Sequence, residues 1–286
     1  MNKINKLFLS VGAMKAGTTW LYEHLKNHDD IHFSPEKEIH YFANKSGIES
    51  QLTHKNRALK LKKKLEEYHL GNVKFIANIA HDIEWYAKYA KEKDISNNWY
   101  ISLFDGKPES AYAADFSNLY CQMDQNGWNL VRESTSSVKV IYILRDPLQR
   151  VWSHFKFHQK WLGHEDIVKN MSFQEYKEVL SQPWFWSNAE YVKNIKNLKE
   201  NLNKDELKVM FFEDIHANPQ NALNEITTFL DIKRRTIPIQ KASSKINSTK
   251  DFEFPNEWRE YTITLLQDTY RELNSMNLSN AAWSKL

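Results

Sequence analysis

A glycine-containing stretch near the beginning of the chain constrains the fold most. Residues 11–20 read VGAMKAGTTW and overlap the end of a short apolar run, KLFLSVG, at 6–12. An apolar run closed by glycine predicts a buried parallel strand, and TTWLYEHLKNH at 18–28 has the apolar spacing of a helix. A strand, a glycine loop and a helix in this order are the context in which proteins bind phosphate groups.

The loop departs from the nucleoside-triphosphate pattern G-x-x-x-x-G-K-S/T at one position. Gly12 and Gly17 keep the glycine spacing, but Thr18 stands where the lysine is expected, and Lys15 lies earlier in the loop. Backbone N–H groups around Gly17 and the dipole of the following helix predict an anion site. Thr18 and Thr19 add hydroxyl donors, and Lys15 can reach an oxygen of the ligand. A tight turn without a ligand is the purely structural alternative.

Composition and charge limit what this loop can serve. The net charge of +3 is too small to favour nucleic acid as the main partner, but it suits a small anionic ligand. Cys121 is the only cysteine, so an internal disulfide and a thiolate zinc site are excluded and a reducing compartment is allowed. We recognise neither a signal peptide nor an apolar run of about 20 residues, so we expect a cytoplasmic protein without a membrane partner.

Strand and helix patterns alternate along the chain, which predicts an α/β fold. The strongest strand is VKVIYILRD at 138–146, and PLQRVWSHFKFHQKW at 147–161 begins with proline and continues as an amphipathic helix. Further strands are predicted at 31–33, 111–117 and 207–215, and further helices at 49–70, 82–92, 127–137, 172–180, 189–202, 218–232 and 257–274. We expect a single domain over residues 1–286, with a mostly parallel central sheet flanked by helices, similar to the P-loop NTPases.

The end of the strongest strand separates two interpretations of the loop. In nucleoside triphosphatases a loop threonine holds Mg²⁺ together with an acidic residue at the end of a nearby strand. Here Arg145 comes first at that strand end, which favours an anion bound by side chains without a metal. Asp146 follows directly and leaves a magnesium-dependent kinase or nucleotidase open as an alternative.

Two motifs together resemble a known family. KAGTTWL at 15–21 and ILRDPLQRVWSHF at 143–155 resemble the two nucleotide-binding motifs of sulfotransferases that use 3′-phosphoadenosine 5′-phosphosulfate, PAPS. KEIHYF at 37–42, NNWYISLF at 97–104 and AADFSNLY at 113–120 resemble elements of the heparan-sulfate-like and bacterial branch. The resemblance implies in-line transfer of a sulfonate from PAPS to a hydroxyl or amine of a small-molecule or glycan acceptor, without a metal.

The resemblance also implies roles on the donor side. The residues expected to bind the donor are Lys15, Ala16, Gly17, Thr18, Thr19, Trp20, Arg145, Ser153 and Lys245. Lys15 would balance charge on the leaving phosphate oxygen, whereas Arg145 and Ser153 would hold the 3′-phosphate. Trp20 is expected either to stack on adenine or to lie in the core. Arg150 either faces the ligand or, as is more common for an arginine a few residues into a helix, is expected on a solvated surface.

On the acceptor side the resemblance makes Glu38 the general base, with His40 as a possible partner or alternative. The residues expected to contact the acceptor are Lys37, Tyr41, Phe42, Ser117 and Trp186. Three bulky rings in SQPWFWSN at 181–188, a predicted loop, suggest part of the acceptor pocket. Asp115 and Asn118 replace the glutamate and proline of the family pattern, which leaves the acceptor's identity open. The oligomeric state and a non-catalytic nucleotide-binding role also stay open.

Overall fold

The computed structural model describes residues 3–69, 76–164, 171–236 and 253–284. Lys245 and most of the basic stretch at 233–251 lie outside these described residues, so the prediction for Lys245 is not tested.

Within the described residues, five parallel strands form one sheet. They are β1 (Ile4–Ser10), β2 (Ile31–Phe33), β3 (Tyr112–Asp115), β4 (Thr135–Leu144) and β5 (Leu207–Phe211). Their order across the sheet is β2-β3-β1-β4-β5, and every neighbouring pair is parallel. β1 lies in the centre because its near-continuous apolar sequence suits a strand that is covered on both faces.

Helices connect the strands and cover both faces of the sheet. They are α1 (Thr18–Leu25), α2 (Tyr41–Lys45), α3 (His54–His69), α4 (Ile76–Lys91), α5 (Asn97–Ser102), α6 (Gln125–Ser134), α7 (Pro147–Trp161), α8 (Phe173–Ser181), α9 (Pro183–Trp186), α10 (Tyr191–Asn201), α11 (Phe212–Ala217), α12 (Pro219–Leu230) and α13 (Asn256–Ser275). The main core surrounds the sheet, and a smaller apolar core joins α7, α8, α9 and α13. This second core fixes α7, whose first turns follow the β4 strand end.

The predicted α/β class with a parallel sheet is confirmed. Helix α8 begins with a capping box formed by Ser172 and Glu175. Several boundaries differ from the prediction, and three of the differences have a clear physical reason. Residues 135–137 begin β4 instead of ending a helix, because Thr135 pairs with β1. The predicted strand at 207–215 ends at Phe211, and two acidic residues in the next turn favour a helix start there. The predicted loop at 181–188 contains α9, which begins with Pro183.

Candidate active site

The site lies where the sheet topology brings several loops together. Because all strands are parallel, the loops after β1, β2, β3 and β4 leave the same edge of the sheet, where α/β proteins bind ligands. These loops carry Lys15, Glu38, Ser117 and Arg145, respectively. Residues that are far apart in sequence therefore share one edge.

The loop after β1 has the backbone that an anion site needs. Its start is fixed to β4, because the Ala13 N–H donates to the Ile143 carbonyl over 2.9 Å. Gly17 precedes α1 with a φ of 92°, and a Cβ there would lie only 3.0 Å from a ring carbon of Phe212. Glycine is required at this position both for its backbone angle and for space. The N–H groups of the first turn of α1 face the loop end without a side-chain cap.

Two cations lie against this loop. The Arg145 guanidinium donates to the Lys15 carbonyl over 3.0 Å and lies 4.5 Å from the centre of the Phe212 ring. The Lys15 ammonium lies 4.2 Å from the centre of the Phe157 ring. Burial, together with the positive charges of Arg145 and Lys37, lowers the pKa of Lys15 to about 8. An anion bound here would relieve this crowding of positive charge.

Lys37 connects the loop to the predicted base. Its ammonium lies 3.4 Å from the Thr18 hydroxyl, 3.3 Å from the Thr19 hydroxyl and 3.2 Å from Oε1 of Glu38. One side chain therefore spans the space between the phosphate loop and the carboxylate. The structure brings Lys37, Glu38, Thr18 and Thr19 together, as the family resemblance implied.

Glu38 accepts two further hydrogen bonds on its other oxygen. Nε2 of His40 and Nδ2 of Asn118 each lie 3.2 Å from Oε2. Burial tends to raise the pKa of Glu38, but the hydrogen bond from His40 and the charge of Lys37 outweigh it and hold the pKa below its ordinary value. The side chain is 31% exposed. Glu38 is therefore an ionised carboxylate that a ligand can reach.

The second nitrogen of His40 is enclosed. Nε2 faces Glu38, whereas Nδ1 is buried and has no hydrogen-bond partner. Neither ring nitrogen is free to meet an incoming hydroxyl. Of the two predicted candidates, the geometry favours Glu38 as the proton acceptor and gives His40 the task of orienting it.

A buried carboxylate holds this base in place. The backbone N–H of His40, a residue with a φ of 61°, donates to the Ser117 hydroxyl over 2.8 Å. Ser117 donates in turn to Asp115 over 2.5 Å, and Tyr120 donates to the other Asp115 oxygen over 2.6 Å. Ser117 and Asp115 are fully buried. Sequence reasoning placed Ser117 in contact with the acceptor, but in the structure it is fully buried and hydrogen-bonds the segment that carries Glu38 and His40.

Three predicted ligand-binding residues lie in the core. Trp20 is 3% exposed, Tyr41 is 1% exposed and Phe42 is fully buried. The Tyr41 ring stacks on Tyr100, with ring centres 4.9 Å apart. The three rings are buried against the core on α1 and α2, so none of them lines the candidate site.

The remaining predicted residues lie on α7 and α9. Ser153 is half-buried on α7, on the same helix that begins after Arg145. Trp186 is half-buried and packs against the smaller core. Its neighbour Trp184 is 45% exposed and is the ring of α9 that faces outward.

Arg150 is not on a solvated surface, so that expectation is wrong. It is fully buried, and none of its three guanidinium nitrogens has a hydrogen-bond partner. The groups that act on it most strongly are Tyr191, Tyr142, Cys121 and Arg145. Helical periodicity gives no sign of this burial, because a charged residue is expected to face solvent.

Asp146, which kept the magnesium alternative open, is engaged elsewhere. One carboxylate oxygen accepts from the Leu148 N–H over 2.9 Å and from Tyr270, and the other accepts from the Ser284 hydroxyl over 2.8 Å. Asp146 thus caps α7 and ties it to α13 and the segment that follows. Among the described residues, no group of three or more His, Cys, Asp or Glu side chains is placed to hold a metal ion.

Comparison with known proteins gives the class of protein that this fold and site define. Residues 6–273 match the sulfotransferase domain family. The chain therefore belongs to the sulfotransferase family, whose members transfer sulfonyl groups.

Several relatives share the fold at low sequence identity. A sulfotransferase from Alicyclobacillus acidocaldarius is 19% identical, with 100% of both chains covered and a TM-score of 0.66. The sulfotransferase domain of the Synechococcus PCC 7002 olefin synthase is 16% identical, with 95% of this chain and 96% of that chain covered and a TM-score of 0.55. A membrane-associated sulfotransferase of Dictyostelium discoideum, kil1, is 26% identical over 155 residues, which are 54% of this chain but only 23% of that protein. In the part of the chain that the structure describes, no helix combines the length and apolar character needed to cross a bilayer.

Proposed function

We propose that this protein transfers a sulfonate group from PAPS to a hydroxyl or amine of a small-molecule or glycan acceptor. One observation carries the proposal: the Lys37 ammonium contacts both the Glu38 carboxylate and the hydroxyls of the phosphate loop. The base and the anion site are thus separated by a single side chain, which is the spacing that direct transfer from donor to acceptor needs.

The residues of the loop suit a donor with two anionic ends. We infer that the phosphosulfate lies on the loop, held by backbone N–H groups of Gly17 to Thr19, the two threonine hydroxyls and Lys15. Arg145, which donates to the loop, and Ser153, in the second turn of α7, would hold the 3′-phosphate, as the family resemblance implies. The donor supplies the activated sulfonate, and fixed cations, without a metal, would stabilise the charge that develops on the leaving phosphate.

Glu38 has the protonation state that a general base requires. It is ionised because its pKa is lowered, and Oε1 accepts only one of the hydrogen bonds described above, so it keeps room for another. In the proposed step the acceptor oxygen or nitrogen forms a bond to sulfur, its proton passes to Glu38, and the sulfur–oxygen bond to the phosphate breaks. His40 and Asn118 fix the orientation of the carboxylate, and Lys37 lies where it can meet the transferring sulfonate.

We place the acceptor on the outward faces of α7 and α9. Phe157, which contacts Lys15, is 37% exposed, Trp161 is 69% exposed and Trp184 is 45% exposed. The ring of His158 links them, with its centre 4.6 Å from that of Trp184 and 6.4 Å from that of Trp161. A cluster of exposed apolar rings beside a reaction centre favours a binding role. This agrees with the prediction for 181–188, although Trp184 takes the place of Trp186.

The test uses two readouts and one matched control. Adenosine 3′,5′-bisphosphate should raise the melting temperature in the presence of a chelator, and ATP with Mg²⁺ should not. With labelled PAPS and a panel of hydroxyl and amine compounds, Glu38→Gln should lower kcat by about 10²-fold or more, the usual contribution of a general base. The same variant should keep the bisphosphate-induced shift.

Glu23→Gln removes a half-buried carboxylate of α1 that forms an ion pair with Lys26, and it should change neither readout. Undiminished transfer by Glu38→Gln would remove Glu38 from the mechanism. Stabilisation by ATP with Mg²⁺ alone would favour the kinase or nucleotidase, and bisphosphate binding without any turnover would favour a non-catalytic relative. A cytoplasmic location stays a prediction.

A further inference from the structure

Arg150 carries a permanent positive charge at a buried position, where the fold shows no role for a charge. The guanidinium stays protonated at any pH that the protein survives. The residue has no solvent-accessible surface, and within the described part of the chain Nε, Nη1 and Nη2 have no hydrogen-bond partner, so the charge is fully desolvated. A buried charge is retained in proteins only where something compensates it.

Among the described residues, no carboxylate is one of the groups that act most strongly on Arg150. The neighbours that act on Arg150 most strongly are two phenols, one thiol and a second arginine. Burial raises the pKa of Cys121 to about 12 and moves the pKa values of Tyr142 and Tyr191 upward as well, so all three are neutral. Arg150 also lies near the N-terminus of α7, the positive end of the helix dipole. Buried water could satisfy its hydrogen bonds but not its charge.

The position of Arg150 relative to the phosphate loop suggests where the opposite charge comes from. Tyr142 and Cys121, which neighbour Arg150, also lie directly behind the loop: a Cβ on Gly12 would be 3.3 Å from the Tyr142 ring and 3.4 Å from the Cys121 sulfur. Arg150 and the start of the loop therefore share two neighbouring side chains, Tyr142 and Cys121. Arg145 donates to the loop carbonyl of Lys15, and it is close enough to Arg150 for their positive charges to repel.

We propose that Arg150 is an electrostatic determinant of donor binding, whose countercharge is the anion held by the phosphate loop. It acts through space and through the two neutral side chains between them, in a low-dielectric interior where such interactions are long-ranged. The inference rests on the proposed function, because it takes the 5′-phosphate end of the donor as that anion. In the donor-free protein the isolated buried charge of Arg150 lowers stability. The bound anion stabilises this charge.

The test is Arg150→Met, which keeps length and apolar packing but removes the charge. Because the variant no longer buries an uncompensated charge, its donor-free form should melt at the same temperature as the wild type or higher. Its dissociation constant for adenosine 3′,5′-bisphosphate, measured by calorimetry, should rise about tenfold or more, the effect of about 1.4 kcal/mol. Arg150→Lys, which keeps a cation, should bind the bisphosphate within a few-fold of the wild type.

Adenosine 5′-phosphate is the second probe, because it lacks the 3′-phosphate. Its affinity should fall in Arg150→Met by a similar factor if the loop anion is the countercharge. The inference is overturned if Arg150→Met binds both nucleotides as the wild type does, or if only the bisphosphate is affected. It is also overturned if the donor-free variant is strongly destabilised while Arg150→Lys is destabilised equally, because the residue would then serve packing. A wild type that binds no bisphosphate would instead refute the proposed function.

Discussion

The lowered pKa of Lys15 predicts how donor binding should depend on pH. Burial and the neighbouring cations bring this pKa from an ordinary 10.5 to about 8 in the free protein. A bound anion beside the ammonium restores its preference for the charged form, so the pKa rises again in the complex. Between the two values the free protein must take up a proton in order to bind. Affinity is therefore constant below about pH 8 and falls as the pH rises above it.

The size of the effect follows from the same two values. Above the free pKa, the dissociation constant should rise tenfold per pH unit until the pKa of the complex is reached. At pH 9.5 the bisphosphate should bind about 30-fold more weakly than at pH 7, if its presence restores the ordinary lysine pKa. Ionisation of the ligand contributes little to this pH dependence, because the second pKa of a phosphate monoester is near 6, below the whole range.

Calorimetric titration of adenosine 3′,5′-bisphosphate from pH 7 to 9.5, at constant ionic strength, measures this dependence. Lys15→Arg is the control, because a guanidinium stays charged over the whole range and should give a nearly flat profile. A wild-type profile as flat as that of Lys15→Arg would show that Lys15 does not carry the charge that the anion meets. The assignment of Lys15 to the donor site would then be wrong.

Two further changes test the supporting role of Asp115 and the acceptor face. Asp115→Asn replaces the carboxylate to which Ser117 and Tyr120 donate with an amide. The free energy of unfolding in urea should fall by about 1–3 kcal/mol, and kcat should fall because His40 is positioned less well. Unchanged stability would contradict a supporting role of Asp115. Trp184→Ala should raise the KM for the acceptor several-fold without changing bisphosphate affinity. Tyr68→Ala, which removes an aromatic ring of equal 45% exposure on α3, is its control, and an unchanged KM in Trp184→Ala would move the acceptor elsewhere.

The backbone of the phosphate loop could be predicted from sequence because its determinants are local. The glycine spacing, the strand before it and the helix after it specify the backbone of the loop, and a parallel sheet then brings the β4 strand end with Arg145 to the same edge. The role of Glu38 could be inferred only from the family resemblance. Nothing in the spacing of its own segment shows that Lys37 turns toward the two loop threonines.

The errors of sequence reasoning have a common physical origin. A short helix such as α2 has too few residues for periodicity to show which side faces the core, so Tyr41 and Phe42 could not be assigned to the core in advance. Ser117 was recognised as important, but its hydrogen bond to a buried carboxylate depends on tertiary packing. Arg150 could not be located, because the pattern that identifies buried positions counts arginine as an outward-facing residue.

The shared ammonium of Lys37 has a consequence for the order of events. Since one cation holds both the threonine hydroxyls and the carboxylate, any anion that occupies the loop must draw Lys37 toward itself and loosen its grip on Glu38. Arrival of the first substrate would thereby unlock the group that deprotonates the second. Under the proposed function, Glu38 would therefore stay restrained until a donor occupies the loop.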